Sequence, residues 1–361
     1  MKINLIYFIS NFSFGGAGNS IVRLCTNLSR KKYSINIICI GKSGYNKILQ
    51  KNKIRLIEIK KSKLIYSVFI LVKIINSLID KNKKNILITN IHYNNVVILF
   101  LKKFFKSVKI ILVERTPIEE LKIYFDFKDF IKKKIINILV KLFYHKSDYI
   151  ICNSKGIKKG LKNFTVKPIK VIYPPSLVTK KKERKYIYKN LNLFCFTRLS
   201  NEKNIILLFK AIKYLNNKKI ILNIYGEGPE KNRLIEYVYK NKLDKNIFFK
   251  GFKNNMNSIH EQIYVSTSLF EGCSNSTIEA INNSKITICS NCPGGNAEIL
   301  LYGKGGELFK NNDYKSLANS IIKVIKEPKK YHKKTLLARE QLSKFFLKKN
   351  QSEYEKIFNS L

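Results

Sequence analysis

Short apolar runs and longer amphipathic segments alternate along this chain. Residues 3–9, 35–40, 55–59, 85–89 and 109–113 are nearly continuous apolar runs; among them lie segments at 19–30, 64–80 and 95–105 whose apolar residues recur every three or four positions. Apolar runs without polar alternation predict strands buried on both faces, and their alternation with helices predicts a parallel sheet covered on both sides. The pattern resumes at 193–196, 220–225, 246–252, 263–268 and 285–290, with helices expected from 205, from 277, at 314–325 and at 329–347. Between the two series, Pro174-Pro175 stops regular structure and a charged run at 180–185 follows, which marks a domain boundary. The expectation is an α/β chain with one domain at 1–175, a second at 176–345 and a last helix at 346–361.

Composition narrows the setting. Of 361 residues, 45% are hydrophobic and 12% aromatic, enough for two packed cores and incompatible with a disordered chain. The seven cysteines are odd in number and scattered, which points to a reducing compartment rather than a disulfide framework. Cys289 and Cys292 form a C-x-x-C pair, but no second pair and no nearby histidine completes a metal site, so none is expected. Met1-Lys2-Ile3-Asn4-Leu5 runs straight into a strand pattern, with no leader expected. Residues 64–79, the most apolar stretch, contain Lys73 and fall short of a bilayer span, and so read as a buried helix.

The formal charge of +45 is extreme. It raises nucleic acid and an anionic membrane surface as partners, and codon bias toward Lys, Ile and Asn is a third source. The basic residues are spread over many helices and no recognition motif is present, so nucleic acid is not expected. Segment 126–147 gives the membrane reading a concrete form. Phe127, Phe130, Ile131, Ile135, Ile138, Leu139, Leu142 and Phe143 are interleaved with Lys132, Lys133, Lys134, Lys141 and Lys146, a basic aromatic helix of the kind that lies on an anionic leaflet. An ordinary surface helix with its apolar stripe on the sheet fits the same pattern.

Candidate chemistry collects in loops that follow strands, which line the ligand crevice of an open parallel sheet. Phe14-Gly15-Gly16-Ala17-Gly18 follows the first strand and lets backbone approach a phosphate or sugar closely. It is not a G-x-G-x-x-G fingerprint, and no acidic residue ends the next strand, which disfavours a nicotinamide cofactor. Glu271 stands in the loop after 263–268 and Glu279 in the first turn of the following helix. Two carboxylates there suit the hydroxyls of a ribose and a hexose; a dipole-complementing Glu279 and a solvated Glu271 fit equally, and spacing alone leaves both open.

Glu271-Gly272 with Glu279-Ala280 resembles the E-x7-E signature of family-4 retaining glycosyltransferases. Pro293-Gly294-Gly295 with Glu298-Ile299-Leu300 resembles the segment that comes next in members acting on bacterial surface glycans. Further motifs follow the family's order: Gly15-Gly16 is similar to its GGAE segment, residues 147–154 and Val171-Ile172-Tyr173-Pro174-Pro175 to two linking segments, Thr197-Arg198-Leu199 through Glu202-Lys203-Asn204 to GRL..EKN, and Gly226-Glu227-Gly228-Pro229 to GxGP. The resemblance implies the GT-B fold, two Rossmann-like domains with parallel sheets facing across a cleft, the last helix crossing back to the first domain. It implies a retaining transferase that needs no cofactor and no metal, takes a UDP-hexose or UDP-N-acetylhexosamine, and delivers the sugar to a glycan or lipid-linked glycan from the cytoplasmic face of the plasma membrane. It places Arg198 and Lys203 on the donor diphosphate, where a guanidinium and an ammonium neutralise the departing charge. Glu271 falls on the sugar, Glu279 on the ribose, Phe252 near the base, and Gly15, Gly16, Gly226, Gly228, Gly272, Cys273, Ser274 and Asn275 along the donor.

The departures matter as well. Many members carry a histidine after the strand matching 109–113, where this chain has Glu114-Arg115-Thr116-Pro117; Arg115 becomes the candidate for an acceptor phosphate, while His92, after an earlier strand, reads as structural or solvated. Ser284 and Ile286 replace the glycine and proline usual after the second glutamate, which puts local helix–strand packing in question. A UDP-sugar 2-epimerase shares fold and donor, but the Arg198/Lys203 motif with the Glu271/Glu279 spacing favours transfer.

Overall fold

The computed structural model describes residues 2–13, 15–60, 67–105, 107–183 and 192–361. Positions 14, 64–66 and 184–185, assigned above to a loop, a helix and the boundary run, lie outside these. The chain divides into two compact units, Met1–Ser176 with Phe345–Leu361, and Leu177–Lys344.

In the first unit, strands β1 (Ile3–Ile9), β2 (Tyr33–Ile40), β3 (Arg55–Ile59), β4 (Lys84–Asn90), β5 (Val108–Glu114), β6 (Tyr149–Cys152) and β7 (Ile169–Val171) form one sheet in the order β3-β2-β1-β4-β5-β6-β7. Every pairing is parallel. Successive side chains of a strand point to opposite faces, and β1 uses both. Leu5 and Tyr7 join a core closed by Tyr354, Ile357 and Phe358 of helix Leu347–Ser360, while Ile6 and Phe8 join a second core with Leu71, Ile98 and Val140. The helix expected at 329–347 is instead Pro328–Glu340, and the helix expected at 346–361 is Leu347–Ser360.

Two helices of this unit leave much of their apolar surface uncovered. Val68–Leu78 buries Leu71, Ile75 and Leu78 but leaves Phe69 85% exposed, so the buried helix read from the sequence is only half covered. Phe127–Phe143 buries just Lys133 and Val140; Phe127 is 75% exposed, and Ile131, Ile135, Ile138 and Leu142 are exposed beside Lys128, Lys132, Lys134 and Lys141. Most of its apolar stripe therefore faces away from the sheet. Lys133 is held inward by Asp129 at 2.8 Å and by the Ile123 carbonyl at 2.6 Å. Among the described residues no helix is long and apolar enough to cross a membrane.

The second unit repeats the architecture. Strands β8 (Leu193–Phe196), β9 (Leu222–Tyr225), β10 (Ile247–Phe249), β11 (Ile263–Ser266), β12 (Ile286–Ser290) and β13 (Glu307–Phe309) run in the order β10-β9-β8-β11-β12-β13, all parallel. Its core gathers Leu193, Ile224, Val265 and Ile288 from the strands with Leu208, Ile212, Leu317 and Ile321 from helices Ile205–Leu215 and Tyr314–Lys326. The strand expected at 246–252 ends at Phe249, and the one expected at 263–268 ends at Ser266.

Candidate active site

β8 and β11 are neighbours in the second sheet, and the loops at their carboxyl ends are joined by hydrogen bonds. Thr267 Oγ1 donates to the Lys203 carbonyl at 2.8 Å, and Leu269 N to the Glu202 carbonyl at 2.9 Å. Across this seam Lys203 Nζ lies 2.6 Å from Glu271 Oε1, which also accepts from Ser268 Oγ at 2.8 Å. Both side chains are mostly withdrawn from water, 20% and 13% exposed, so the pair is poorly screened.

A third loop, after β12, fixes the backbone of Glu271. Glu271 N donates to the Pro293 carbonyl at 3.1 Å, and its own carbonyl accepts from Gly295 N at 3.1 Å. Gly294, at φ 115°, passes so close that a Cβ there would stand 1.5 Å from the Glu271 oxygen. Only glycine fits that crossing. The Pro-Gly-Gly segment thus has a local task, holding Glu271 in place.

Arg198, on the β8 loop, is more open, with its side chain 64% exposed. Its Nη2 lies 2.6 Å from Glu202 Oε1, and Ser200 Oγ donates to the same oxygen at 2.7 Å. Burial alone would raise the Glu202 carboxyl, but the hydrogen bonds from Ser200 and Arg198 outweigh it and hold its pKa below the ordinary range. Both cations assigned to a diphosphate are therefore each matched by a carboxylate.

Gly226 and Gly228 support this loop from beneath. A Cβ on Gly226 would fall 1.8 Å from the Thr197 carbonyl oxygen, and one on Gly228 2.2 Å from that of Leu199; Leu199 N donates to the Glu227 carbonyl at 3.0 Å. Their missing side chains admit the Arg198 loop, whatever else they admit. Phe252 follows Gly251, whose carbonyl accepts from Gly226 N at 2.9 Å, and is 63% exposed.

Ser274 caps helix Asn275–Asn282, its Oγ accepting from Thr277 N at 3.3 Å, so that Gly272 and Cys273 lead directly into a helix N-terminus, which favours anionic groups. Because the helix begins at Asn275 rather than 277, Glu279 falls in its second turn, not its first, and dipole complementation there is weak. Ser284, in place of the usual glycine, adopts φ 58° and is buried with its hydroxyl unpartnered, a strained setting for a serine. Cys289 and Cys292 are both buried, with Cys292 pushed up to about 12 by burial, and no group of three metal-ligating side chains occurs among the described residues.

Gly15, Gly16 and Arg115 belong to the first unit. Gly15 caps helix Gly16–Asn27. At Gly18 a Cβ would meet the Ser13 carbonyl oxygen at 2.6 Å and the Tyr45 hydroxyl at 2.7 Å, which explains why an acidic side chain is absent. Arg115 Nε donates to Asn90 Oδ1 at 2.9 Å. His92 opens helix His92–Phe100 rather than standing in a loop, fully buried between Glu120 Oε1 at 3.0 Å and Glu114 Oε2 at 3.4 Å. Glu114 also accepts from Asn95 Nδ2 and the Tyr144 hydroxyl. Burial works against a charged imidazole, but the hydrogen bonds and charges of the two glutamates outweigh it and raise His92 to about 9. Its role is structural, and it is not solvated. The sequence does not mark Ser268, and it shows Glu202 and Gly294 only as members of motifs without these supporting roles, since no periodicity marks a side chain that supports a neighbour 68 residues from its partner.

Residues 178–341 match the family model "Glycosyl transferases group 1" and residues 14–175 match "Glycosyltransferase Family 4". An uncharacterized glycosyltransferase of Methanocaldococcus jannaschii is 30% identical over 73% of this chain and 71% of its own. The N-acetylgalactosamine-N,N'-diacetylbacillosaminyl-diphospho-undecaprenol 4-alpha-N-acetylgalactosaminyltransferase of Campylobacter jejuni is 25% identical over 65% of this chain; the match spans 65% of that relative, less than two thirds of its length. Anabaena HepE in complex with UDP-glucose superimposes with a TM-score of 0.80 at 15% identity, over 99% of this chain and all of the other. The chain belongs to the group 1, family-4 glycosyltransferases and has their GT-B fold of two parallel-sheet Rossmann-like domains.

Proposed function

We propose that this chain is a retaining glycosyltransferase that moves a hexose or N-acetylhexosamine from a UDP-sugar to a glycan acceptor. The observation that carries the reading is the seam between β8 and β11, which sets Lys203 against Glu271 beside the Arg198 loop. As the bond from the sugar C1 to the diphosphate oxygen breaks, Arg198 and Lys203 stabilise the charge gathering on the leaving phosphate. Glu271 takes hydroxyls of the sugar and Glu279 those of the ribose, with the amides at Gly272, Cys273 and Ser274 along the donor and Phe252 toward the base. The acceptor hydroxyl attacks the face the diphosphate leaves and gives its proton to the departing phosphate oxygen, which retains configuration. Since two side chains supply the positive charge, we expect turnover to survive EDTA. The Campylobacter relative's name describes a diphospho-undecaprenol-linked acceptor, which supports a lipid-linked one here. Release of UDP from a UDP-sugar, dependent on acceptor and abolished in Lys203→Ala, tests the reading.

The same reading puts the first unit on an anionic membrane surface. Helix Phe127–Phe143 turns Phe127, Ile131, Ile135, Ile138 and Leu142 outward with lysines between them. Phe100, 60% exposed, packs on Phe143 at 5.9 Å and extends the patch. Apolar side chains interleaved with lysines match acyl chains beneath acidic headgroups, and the chain's net charge of +45 has the matching sign.

A further inference from the structure

The carboxyl ends of β4, β5 and β6 bring together four polar side chains that the donor chemistry does not use. Asn90 ends β4, Arg115 and Asn153 directly follow β5 and β6, and Asn94 lies in the first turn of helix His92–Phe100. A guanidinium nitrogen only donates, so the 2.9 Å contact from Arg115 Nε requires Asn90 to present its oxygen, which leaves Nδ2 without a partner although Asn90 is 1% exposed. Asn94, also 1% exposed, spends its Nδ2 on the Asn90 carbonyl at 2.8 Å and leaves Oδ1 unpartnered. Asn153, 6% exposed, spends its Nδ2 on the Arg115 carbonyl at 3.5 Å and likewise leaves Oδ1. Buried polar atoms are nearly always satisfied. Here one donor and two acceptors are left over on three side chains bonded to the Arg115 guanidinium, to the Arg115 carbonyl and to the Asn90 carbonyl.

The backbone is strained at the same place. Ile91, between Asn90 and His92, sits at φ 71°, ψ 138°, a costly conformation for a β-branched residue. It is held there by Ile91 N donating to the Val113 carbonyl at 2.9 Å, by its own carbonyl accepting from Asn94 N and Asn95 N, and by the burial of His92 between Glu114 and Glu120. This distorted turn sets Asn94 against Asn90. Among the described residues no carboxylate pairs with Arg115, in contrast to Arg198 and Lys203.

We infer that Asn90, Asn94, Arg115 and Asn153 form a preformed receptor for a phosphate flanked by hydroxyls, the phosphate-bearing end of the sugar acceptor. The inference rests on the transferase reading for what the ligand is used for, but not for its binding. Arg115 takes the phosphate, the free Asn90 amide a phosphate or hydroxyl oxygen, and the Asn94 and Asn153 oxygens accept from hydroxyls.

Calorimetric titration of the full chain, with saturating UDP to fill any other diphosphate site, tests it. The probes are N-acetylglucosamine 1-phosphate and, as the neutral control, its methyl glycoside. The expected result is that the phosphate probe binds, the methyl glycoside binds at least tenfold more weakly, and both Asn90→Asp and Arg115→Gln lower phosphate affinity at least tenfold. Asn90→Asp keeps size and sets a carboxylate against the guanidinium; circular dichroism and a cooperative thermal transition matching wild type show that each variant is folded. A short prenyl-diphosphate sugar and a glycerol phosphate oligomer, titrated in turn, tell which source carries the phosphate. Absence of phosphate-dependent binding, or equal affinity in wild type and both folded variants, overturns the inference. If UDP-sugars fail to bind at all, the transferase reading falls while the phosphate titration still decides this site.

Discussion

Lys203 Nζ lies 2.6 Å from Glu271 Oε1, an ion pair built across two neighbouring strand ends from residues 68 positions apart. In the proposed reaction both members change partner, Lys203 toward a phosphate and Glu271 toward sugar hydroxyls. Lys203→Ala is expected to lower turnover by about 10²–10³, on the scale of a lost oxyanion donor. Glu271→Gln removes the competitor for Lys203, so UDP should bind it at least as tightly as wild type while transfer falls by a similar factor. Steady-state kinetics with UDP titrations separate the two. A Glu271→Gln protein that lost UDP affinity would show that the pair holds the loop's shape rather than the chemistry.

Ser284 offers a stability test. It is buried, left-handed at φ 58°, and its hydroxyl has no partner. Glycine relieves both burdens, and Ser284→Gly is expected to stabilise the chain by about 1 kcal/mol in denaturant unfolding. Destabilisation would mean that the lost restriction of the unfolded chain outweighs the strain.

The His92 cluster makes stability depend on pH with a definite sign. With the imidazole raised from 6.5 to about 9 in the fold, its stabilising charge is fully present below pH 6.5 and is lost as pH rises through 9. Thermal unfolding of wild type and His92→Gln from pH 6 to 9.5 should show a difference largest at the acid end, about 3 kcal/mol for an opened buried pair, shrinking upward. A difference that grew with pH would place a neutral histidine between the glutamates.

Membrane contact through helix Phe127–Phe143 predicts binding to vesicles containing phosphatidylglycerol, weakened by salt. Lys134→Glu with Lys141→Glu removes about 1 kcal/mol per lysine, roughly 30-fold together. Sedimentation that matched for neutral and acidic vesicles would remove the electrostatic part of this reading.

Much of the architecture was legible because continuous apolar runs such as Ile3–Ile9 serve two cores at once. What stayed illegible is tertiary. An amphipathic pattern defines a stripe but not whether anything covers it, so the outward face of Phe127–Phe143 emerges only in three dimensions. Glu279 shifted by a turn because the Ser274 cap starts its helix at Asn275. No proline or glycine announces the break at 341–346 between the last two helices. The pairing of Lys203 with Glu271, and the Gly294 crossing that holds the glutamate, depend on loops from three strands meeting.

The most direct measurement is UDP release by the purified chain from a panel of UDP-sugars, in EDTA, with and without a membrane lipid extract from the source cells. The account predicts turnover with one sugar, stimulated by the extract, indifferent to EDTA and lost in Lys203→Ala. No release from any UDP-sugar, or release that EDTA abolishes or Lys203→Ala leaves intact, would contradict it.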